Sequence, residues 1–303
     1  MKLLFNYLIF PGFLFSAIIG LLAGWVDRKV TARLQYRVGP PWHQNFTDIL
    51  KLLGKEVIVP EGAGLTFLLS PVLGLLSLSL VTVILGNSIM SPFGGFSGDL
   101  IVVLYLLTVP AIALILGAFA SRNPLASVGA SREMKLVLAY ELPFILSIIV
   151  VIIKSGGIIR VNEILNRQVN FGANIASISG ALAFLVSLFC VQAKLGFVPF
   201  DASEAEQEIM GGALIEYSGV LLAIFKLTKA ILLYTLPFFI IALFLGKDIS
   251  PLFLLLKFVM ILTIIILLKN TNPRLRIDQA LRFFWGPVSL VAVIAVILAL
   301  FGR

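Results

Sequence analysis

Residues 200–208 read Phe-Asp-Ala-Ser-Glu-Ala-Glu-Gln-Glu, which puts four carboxylates, Asp201, Glu204, Glu206 and Glu208, within eight positions, and Glu216 follows eight positions on. The formal net charge of the chain is +8, so this burst of acid runs against the general balance. Carboxylates close to hydrocarbon need counter-charges or an aqueous cavity, and ion or substrate traffic is the usual reason they are kept. Pro199 interrupts what precedes, and Asp201 can cap a new helix through first-turn amides. In such a helix Asp201, Glu204 and Glu208 fall at i, i+3 and i+7 along one face while Glu206 turns away. Mutual repulsion and burial would raise some of their pKa values, tuning the cluster for proton exchange near neutral pH. The plain alternative is an acidic docking loop that balances nearby arginines.

Other ionisable groups fall where hydropathy predicts membrane. Glu141, within Tyr140-Glu141-Leu142-Pro143, lies about a turn inside a predicted span, with Arg132 and Arg122 as possible partners. Pro143 can open or kink that helix so that its residues line a cavity. A purely structural salt bridge is the competing reading. Lys226 and Lys229 share nearly one helical face of a later span, and the second needs a carboxylate, a polar cavity or a partner. Pairing with Glu216 or Glu141 would draw a charged chain across the bundle, and Lys257 would extend it. A buried ion pair does not by itself guarantee stability, which favours a functional reading. One cysteine, Cys190, and one histidine, His43, allow neither an internal disulfide nor a metal or cluster site, so no catalytic residue and no bound cofactor is expected of this chain.

The elements that must position these groups follow from composition. The 303 residues are 60% hydrophobic and 13% charged, with mean hydropathy +1.08, outside the range of soluble domains. Apolar stretches able to cross about 30 Å of hydrocarbon run through 3–26, 64–86, 99–121, 136–155, 176–196, 218–244, 250–268 and 287–301. Backbone satisfaction in lipid makes them helices. The fold class is therefore an all-α integral membrane protein of about eight transmembrane helices, a single polytopic domain over 1–303. The first apolar run is too long for a signal peptide and is read as a retained helix. With these spans, the odd connections and their margins hold 14 Lys or Arg, and the N-terminus, the even connections with their margins and the C-terminus hold six. The positive-inside rule then places the long charged loops in the cytoplasm and both termini outside. The outer connections 87–98 and 156–175 carry no distinctive chemistry. In the first cytoplasmic connection, Arg28, Lys29, Arg33 and Arg37 can meet headgroups or an acidic partner. Beyond Gly39-Pro40-Pro41, Phe46, Ile49, Leu50 and Leu53 recur at helical spacing, predicting an amphipathic helix in the interface plane. Arg274, Arg276 and Asp278 in the seventh connection can brace helix ends or dock a partner.

Taken in order, Ala32-Arg33-Leu34-Gln35-Tyr36-Arg37-Val38-Gly39-Pro40, Lys51-Leu52-Leu53-Gly54-Lys55-Glu56, Gly129-Ala130-Ser131-Arg132-Glu133 with Tyr140-Glu141, Pro199-Phe200-Asp201 through Glu206, Glu216-Tyr217-Ser218-Gly219 and Pro273-Arg274-Leu275-Arg276-Ile277-Asp278 resemble the membrane-anchor subunit shared by respiratory complex I and the energy-converting hydrogenases. The resemblance covers roughly residues 20–300. It implies a helix bundle at the junction between a cytoplasmic redox arm and an ion-pumping membrane arm. Glu141, Asp201, Glu204, Glu206, Glu208 and Glu216, with Lys226 and Lys229, would belong to the coupling region. Arg33, Arg37, Arg132, Arg274, Arg276 and Asp278 would sit where the soluble arm docks. Implied partners are hydrogenase-like large and small subunits, an iron-sulfur subunit, antiporter-like membrane subunits, membrane lipid and, through the complex, ferredoxin, with no nucleic acid. The NiFe centre and iron-sulfur clusters would reside in those partners.

Three departures resemble the hydrogenase branch more than the quinone-reducing one. Ala223 to Lys229 replaces an acidic helix continuation, Trp285 is followed by Gly286-Pro287 rather than lysine, and Ser121-Arg122-Asn123-Pro124 through Arg132 follows the hydrogenase pattern. The leading expectation is a coupling subunit of an energy-converting NiFe hydrogenase-type complex that links ferredoxin oxidation and proton reduction to H⁺ or Na⁺ translocation. The alternatives are the quinone-chamber subunit of a complex I-like oxidoreductase, the anchor of a related sulfur-reducing complex, and a passive scaffold. A secondary transporter is disfavoured by the absence of a detectable internal repeat.

Overall fold

The computed structural model describes residues 2–90 and 95–302, with the backbone alone at Lys2, Leu3, Glu206 and Gln207. All regular structure among them is helical. Helices α1 (Lys2–Leu8) and α2 (Phe13–Leu34) make the first crossing, interrupted at 9–12. Then come α3 (Gln44–Leu53), α4 (Leu65–Met90), and the pair α5 (Asp99–Leu106) and α6 (Val109–Ala120), which share one crossing. The long α7 (Pro124–Lys154) leads to α8 (Val161–Phe171), α9 (Ile178–Lys194) and the single turn α10 (Glu206–Ile209). The chain ends with α11 (Gly219–Phe244), α12 (Pro251–Thr271), α13 (Ile277–Phe283) and α14 (Ser289–Leu300), the last two joined by a π-helical turn at Phe284–Val288.

Among the described residues, seven helical segments are long and apolar enough to cross a membrane. The one predicted span not among them, 176–196, is α9, whose 17 residues rise about 25 Å and so reach across most of the hydrocarbon. This is a multi-pass membrane protein. The most apolar window of α11 is 83% buried, against 28% for α12, so α11 is the central post, apolar on every side beyond Lys229. It packs on α2, α4, α9 and α12, while α14 closes the bundle along α7 and α9. There the buried Ala292, Ala295 and Ala299 of α14 let backbones approach.

Charged residues that hydropathy assigns to loops are helical. Asp27 to Arg33 continue α2, because nothing in the sequence breaks the helix before Gly39-Pro40. The Trp25 indole donates to the Pro40 carbonyl at 3.0 Å and Asn45 to the Leu21 carbonyl at 2.9 Å, folding the connection back against the helix. Similarly, α7 starts at Pro124 rather than near 136. Asn123 Oδ1 accepts the Leu125 amide at 2.8 Å as an N-cap, and Pro124 occupies the first turn. Pro143 does not break α7, which runs through it. The amphipathic helix forms as Gln44–Leu53 and packs on α11 and α2, leaving Leu50 and Leu53 exposed. Of the outer connections, 87–90 complete α4, 91–94 lie outside the described residues, and 161–171 form α8.

A close helix approach in the core falls at Gly20 of α2, where an added Cβ would stand 2.2 Å from the Ala230 carbonyl oxygen of α11. Gly20→Val forces the two helices apart and is expected to lower stability by about 1–3 kcal/mol. Gly286→Ala meets nothing within 4 Å and should be neutral. Thermal melting of the two variants in detergent checks this; equal melting temperatures would refute it.

Candidate functional site

The ionisable groups collect at the end of the bundle formed by the ends of α2, α9 and α12, the starts of α7 and α11, and segment 195–218. The deepest pair joins α7 to α9: Lys194 Nζ lies 2.7 Å from Glu141 Oε2, with side-chain exposures of 2% and 20%. The ammonium also stands 5.0 Å from the Tyr140 ring centre and 4.9 Å from that of Phe144, so two aromatic faces and one carboxylate replace its hydration shell. Glu141 therefore pairs with neither Arg132 nor Arg122. Lys194, in the last turn of α9 and 53 residues away in sequence, is the partner that sequence reasoning missed.

About two turns towards the open end, Glu133 is buried on α7, with the Ser203 hydroxyl against it and Glu204, Lys229 and Lys194 near enough to act on its charge. A cavity of about 40 Å³ is bounded by Glu133, Lys194, Ser203, Glu204, Thr228 and Lys229, room enough for a water among polar partners. Four residues of that wall, Leu195, Gly196, Glu204 and Lys229, also border an open hollow of about 470 Å³ whose rim carries Asp201 and Arg274. From the rim inward the sequence of groups is Arg274–Asp201, Lys229–Glu204, Glu133, Lys194–Glu141.

The acidic run is not one helix with a carboxylate face. Residues 201–205 are turns and bends, and only Glu206–Ile209 forms a helical turn. Each of the three described carboxylates instead answers a cation from a different element. Asp201 Oδ1 accepts from Arg274 Nε at 2.8 Å, Glu204 pairs with Lys229 of α11, and Glu208 sits 2.5 Å from Arg132 of α7. Tertiary pairing thus outweighs local helix propensity. The mutual repulsion expected of the carboxylates is replaced by separate attraction. For Glu208 the direction is opposite to that expectation: the hydrogen bond and charge of Arg132 hold its carboxyl below the usual range. The Glu206 side chain lies outside the described residues.

Three other expectations need correction. Glu216 is not part of a lysine network; its Oε1 accepts from Asn123 Nδ2 at 2.5 Å, tying the end of the 195–218 segment to the α7 cap. Tyr217 beside it stacks on Phe67 at 4.3 Å and shares a 3.0 Å hydrogen bond with Ser70, and burial pushes its phenol up to about 12. Lys226 is exposed and Lys229 half-buried rather than both being sealed in the bundle. Lys257 lies far from the site, donating to the Leu245 and Asp248 carbonyls at 2.7 and 2.8 Å.

Among the expected docking residues, Arg33, Arg37, Arg276 and Asp278 are exposed. Arg276 and Asp278 share an open hollow of about 360 Å³ with Arg132, Glu208 and Arg274. Arg132 and Arg274 already hold the acidic segment, so their charge is largely spent inside the molecule. Sequence reasoning also missed Asp27, which is 5% exposed on α2 and lies 2.7 Å from Lys269 of α12. Its Oδ1 has no hydrogen-bond partner among the described residues, and the Lys269 ammonium stands 4.5 Å from the Phe197 ring, which borders the large hollow. No cluster of three or more metal-ligating side chains occurs among the described residues.

The described residues thus form a multi-pass helix bundle with ion pairs buried at one end beside an open polar hollow. The model of the family described as NADH dehydrogenase matches residues 7–300. The chain is 35% identical to the H subunit of the NADH-quinone oxidoreductase of Thermomicrobium roseum, over 94% of its own length and 92% of that protein's. Its identity to the counterpart from Anoxybacillus flavithermus is 32%, over 90% and 86%. Among solved structures, a chain of an archaeal respiratory complex, the membrane-bound sulfane sulfur reductase, superposes with a TM-score of 0.89 at 29% identity, covering 99% of this chain and all of that one. The chain belongs to the NADH dehydrogenase family of membrane subunits, and it is a membrane subunit of a complex I-like respiratory oxidoreductase.

Lys194→Met leaves Glu141 without its partner and is expected to cost about 3–5 kcal/mol. The double variant Lys194→Met/Glu141→Leu should regain most of that, as read by thermal melting; a double variant no better than the single one would show that the pair is not the unit. At the surface, the lowered folded-state pKa of Glu208 means that its pairing with Arg132 contributes fully above the unfolded glutamate pKa of about 4.3. The contribution is lost as pH falls through the folded value. The melting difference between wild type and Glu208→Gln should be flat from neutral pH down to that range and vanish in stronger acid. A difference that disappears near pH 6, about two units above the glutamate reference value, would contradict the assignment.

Proposed function

We propose that this chain is the membrane-anchor and coupling subunit of an energy-converting complex in which oxidation of ferredoxin on a cytoplasmic redox arm drives H⁺ or Na⁺ across the membrane. The observation that carries the proposal is the graded series of ion pairs from the open hollow at Asp201 and Arg274 to the buried Glu141–Lys194 pair. A redox or docking event that moves the 195–218 segment changes the charge beside Glu204 and Lys229 first. Glu133 and Lys194, sharing the inner cavity, then respond through the field in a poorly solvated interior. Moving one charge against 100 mV takes about 2.3 kcal/mol, the equivalent of less than two pKa units at about 1.36 kcal/mol each. The pairs are thus of the right energetic size for coupling.

The sidedness that this requires, charged loops in the cytoplasm and both termini outside, rests on the excess of Lys and Arg in the odd connections. Exposed Arg33, Arg37, Arg276 and Asp278 then serve as the docking surface for the arm. The whole chain acts as one domain. Its partners are the hydrogenase-like large and small subunits, an iron-sulfur subunit and antiporter-like membrane subunits, which carry the NiFe and iron-sulfur centres. Lys229 and the Gly286-Pro287 sequence support the hydrogenase-type reading of the arm. The likeness to a chain of the sulfane sulfur reductase supports a sulfur-reducing arm as the second reading.

Glu141→Gln and Lys229→Met should leave the complex assembled and its redox turnover largely intact, while lowering ion uptake into inverted vesicles at least several-fold. Unchanged uptake in both assembled variants would overturn the coupling role in favour of a passive scaffold. Metal analysis of the purified complex separates the arms: nickel with iron supports the hydrogenase reading, and iron without nickel rejects it.

A further inference from the structure

Asp27 and Lys269 pair between α2 and α12, outside the series of groups that runs from Asp201 to Glu141. Asp27 is buried, its Oδ2 lies 2.7 Å from the Lys269 ammonium, and its Oδ1 accepts no hydrogen bond among the described residues. Leaving a buried acceptor unsatisfied costs about 1–3 kcal/mol, and more when the group is charged. The carboxylate therefore keeps its charge on the strength of one cation. Arg28, its neighbour on α2, is engaged instead with Asn45 and Asp48 of α3 at 2.7 and 3.2 Å. Among the described residues no second cation lies within ion-pair distance of Asp27. Nor is the pair required merely to join the two helices. One turn along α2, Thr31 Oγ1 accepts from Asn270 Nδ2 at 3.1 Å, a neutral tie between the same elements.

The cation, in turn, is linked to the acidic segment in two ways. Lys269 lies in the last turn of α12, and its ammonium stands 4.5 Å from the centre of the Phe197 ring, so an aromatic face supplied by the 195–218 segment replaces part of its water. Phe197 is also a wall of the hollow that holds Asp201, Glu204, Lys229 and Arg274. Just beyond the end of α12, Arg274 grips Asp201, and Leu275 donates to the Pro199 carbonyl at 3.0 Å. A displacement of the 195–218 segment relative to α12 therefore acts on Lys269 both through Phe197 and through the 272–276 connection. We propose that Asp27 is a proton-holding carboxylate on a second branch of the coupling site, gated by Lys269. This rests on the coupling role proposed above. When the segment draws Phe197 aside, the ammonium swings towards the hollow and water follows it. Asp27, left without its counter-charge in poorly solvated surroundings, neutralises by taking a proton from the hydronium of that water on Oδ1. The returning ammonium restores the carboxylate and expels the proton to water. Lys269 keeps its own proton throughout, so each cycle loads and releases one.

The test uses the intact membrane complex containing this chain, in inverted vesicles. Asp27→Asn, whose amide oxygen can still accept from Lys269, should keep redox turnover largely intact and lower the number of ions taken up per electron several-fold. Asp27→Glu, which retains a carboxylate, should recover most of that loss. Thr31→Ala removes only the neutral tie between α2 and α12 and should leave the ratio unchanged. A ratio unchanged in Asp27→Asn but lowered in Glu141→Gln would overturn the second branch and leave the coupling role standing, whereas a ratio unchanged in both would remove both. Equal losses in Asp27→Asn and Thr31→Ala would reduce the pair to a helix contact and also overturn the proposal. Infrared difference spectra between the oxidised and reduced complex give a readout that needs only the conservative variant. The wild type should show a carboxylic C=O band that shifts in Asp27→Glu; identical spectra for the two would mean that no proton comes and goes at this position.

Discussion

Placing an ammonium inside a helix bundle is tolerable only if something there replaces water, and at Lys194 the replacement is a carboxylate from α7 and two aromatic faces one turn apart on the same helix. Much else follows from that constraint. Glu141 and Phe144 must face α9, which fixes the rotation of α7 about its axis. The same rotation turns Glu133, eight residues earlier, towards the inner cavity, and turns Arg132 outward to the acidic segment. Pro143 sits between Glu141 and Phe144 without interrupting the helix, consistent with the tolerance of transmembrane helices for proline when neighbours satisfy the freed carbonyl.

The acidic segment depends on its surroundings more than on itself. Its carboxylates are held by α7, α11 and the 272–276 turn, and its far end by the Asn123 cap. Backbone contacts reinforce this, with Leu275 donating to the Pro199 carbonyl at 3.0 Å. Local sequence makes only one turn of helix in this stretch because each side chain satisfies a different neighbour. That arrangement suits a segment that senses the relative positions of α7, α11 and the 272–276 connection, as the proposed coupling requires. Family membership and the close superposition on a respiratory-complex chain agree with a bundle whose geometry is shared while its redox partner varies.

Which features could be read from the sequence follows from range. The amphipathic helix was legible because Phe46, Ile49, Leu50 and Leu53 declare their face within ten residues. The spans were legible because hydropathy is a sum over a window. Helix ends were not: α2 and α7 extend into polar sequence, since a backbone keeps its hydrogen bonds until a cap or breaker intervenes, whatever the side chains prefer. Long-range partners were not legible either. Lys194 reads locally as the charged margin of a span, and Asp27 as the first residue of a loop, yet both are buried and paired across the bundle. The acidic run illustrates the reverse error, in which correct helical spacing was assigned to a stretch that folds around its counter-ions.

The π-helical turn at Phe284–Val288 has a consequence for how such a subunit can vary. Its Ser289 hydroxyl donates to the Phe284 carbonyl at 2.7 Å, Phe284 is fully buried, and Trp285 is 65% exposed. The wider turn accommodates one residue beyond normal helical winding, about 100° of rotation. The face that α13 presents at the charged end is therefore indexed separately from the alanine seam that α14 presents to α7 and α9. A lineage can add, delete or exchange residues at the charged end without re-registering the helix that seals the membrane core.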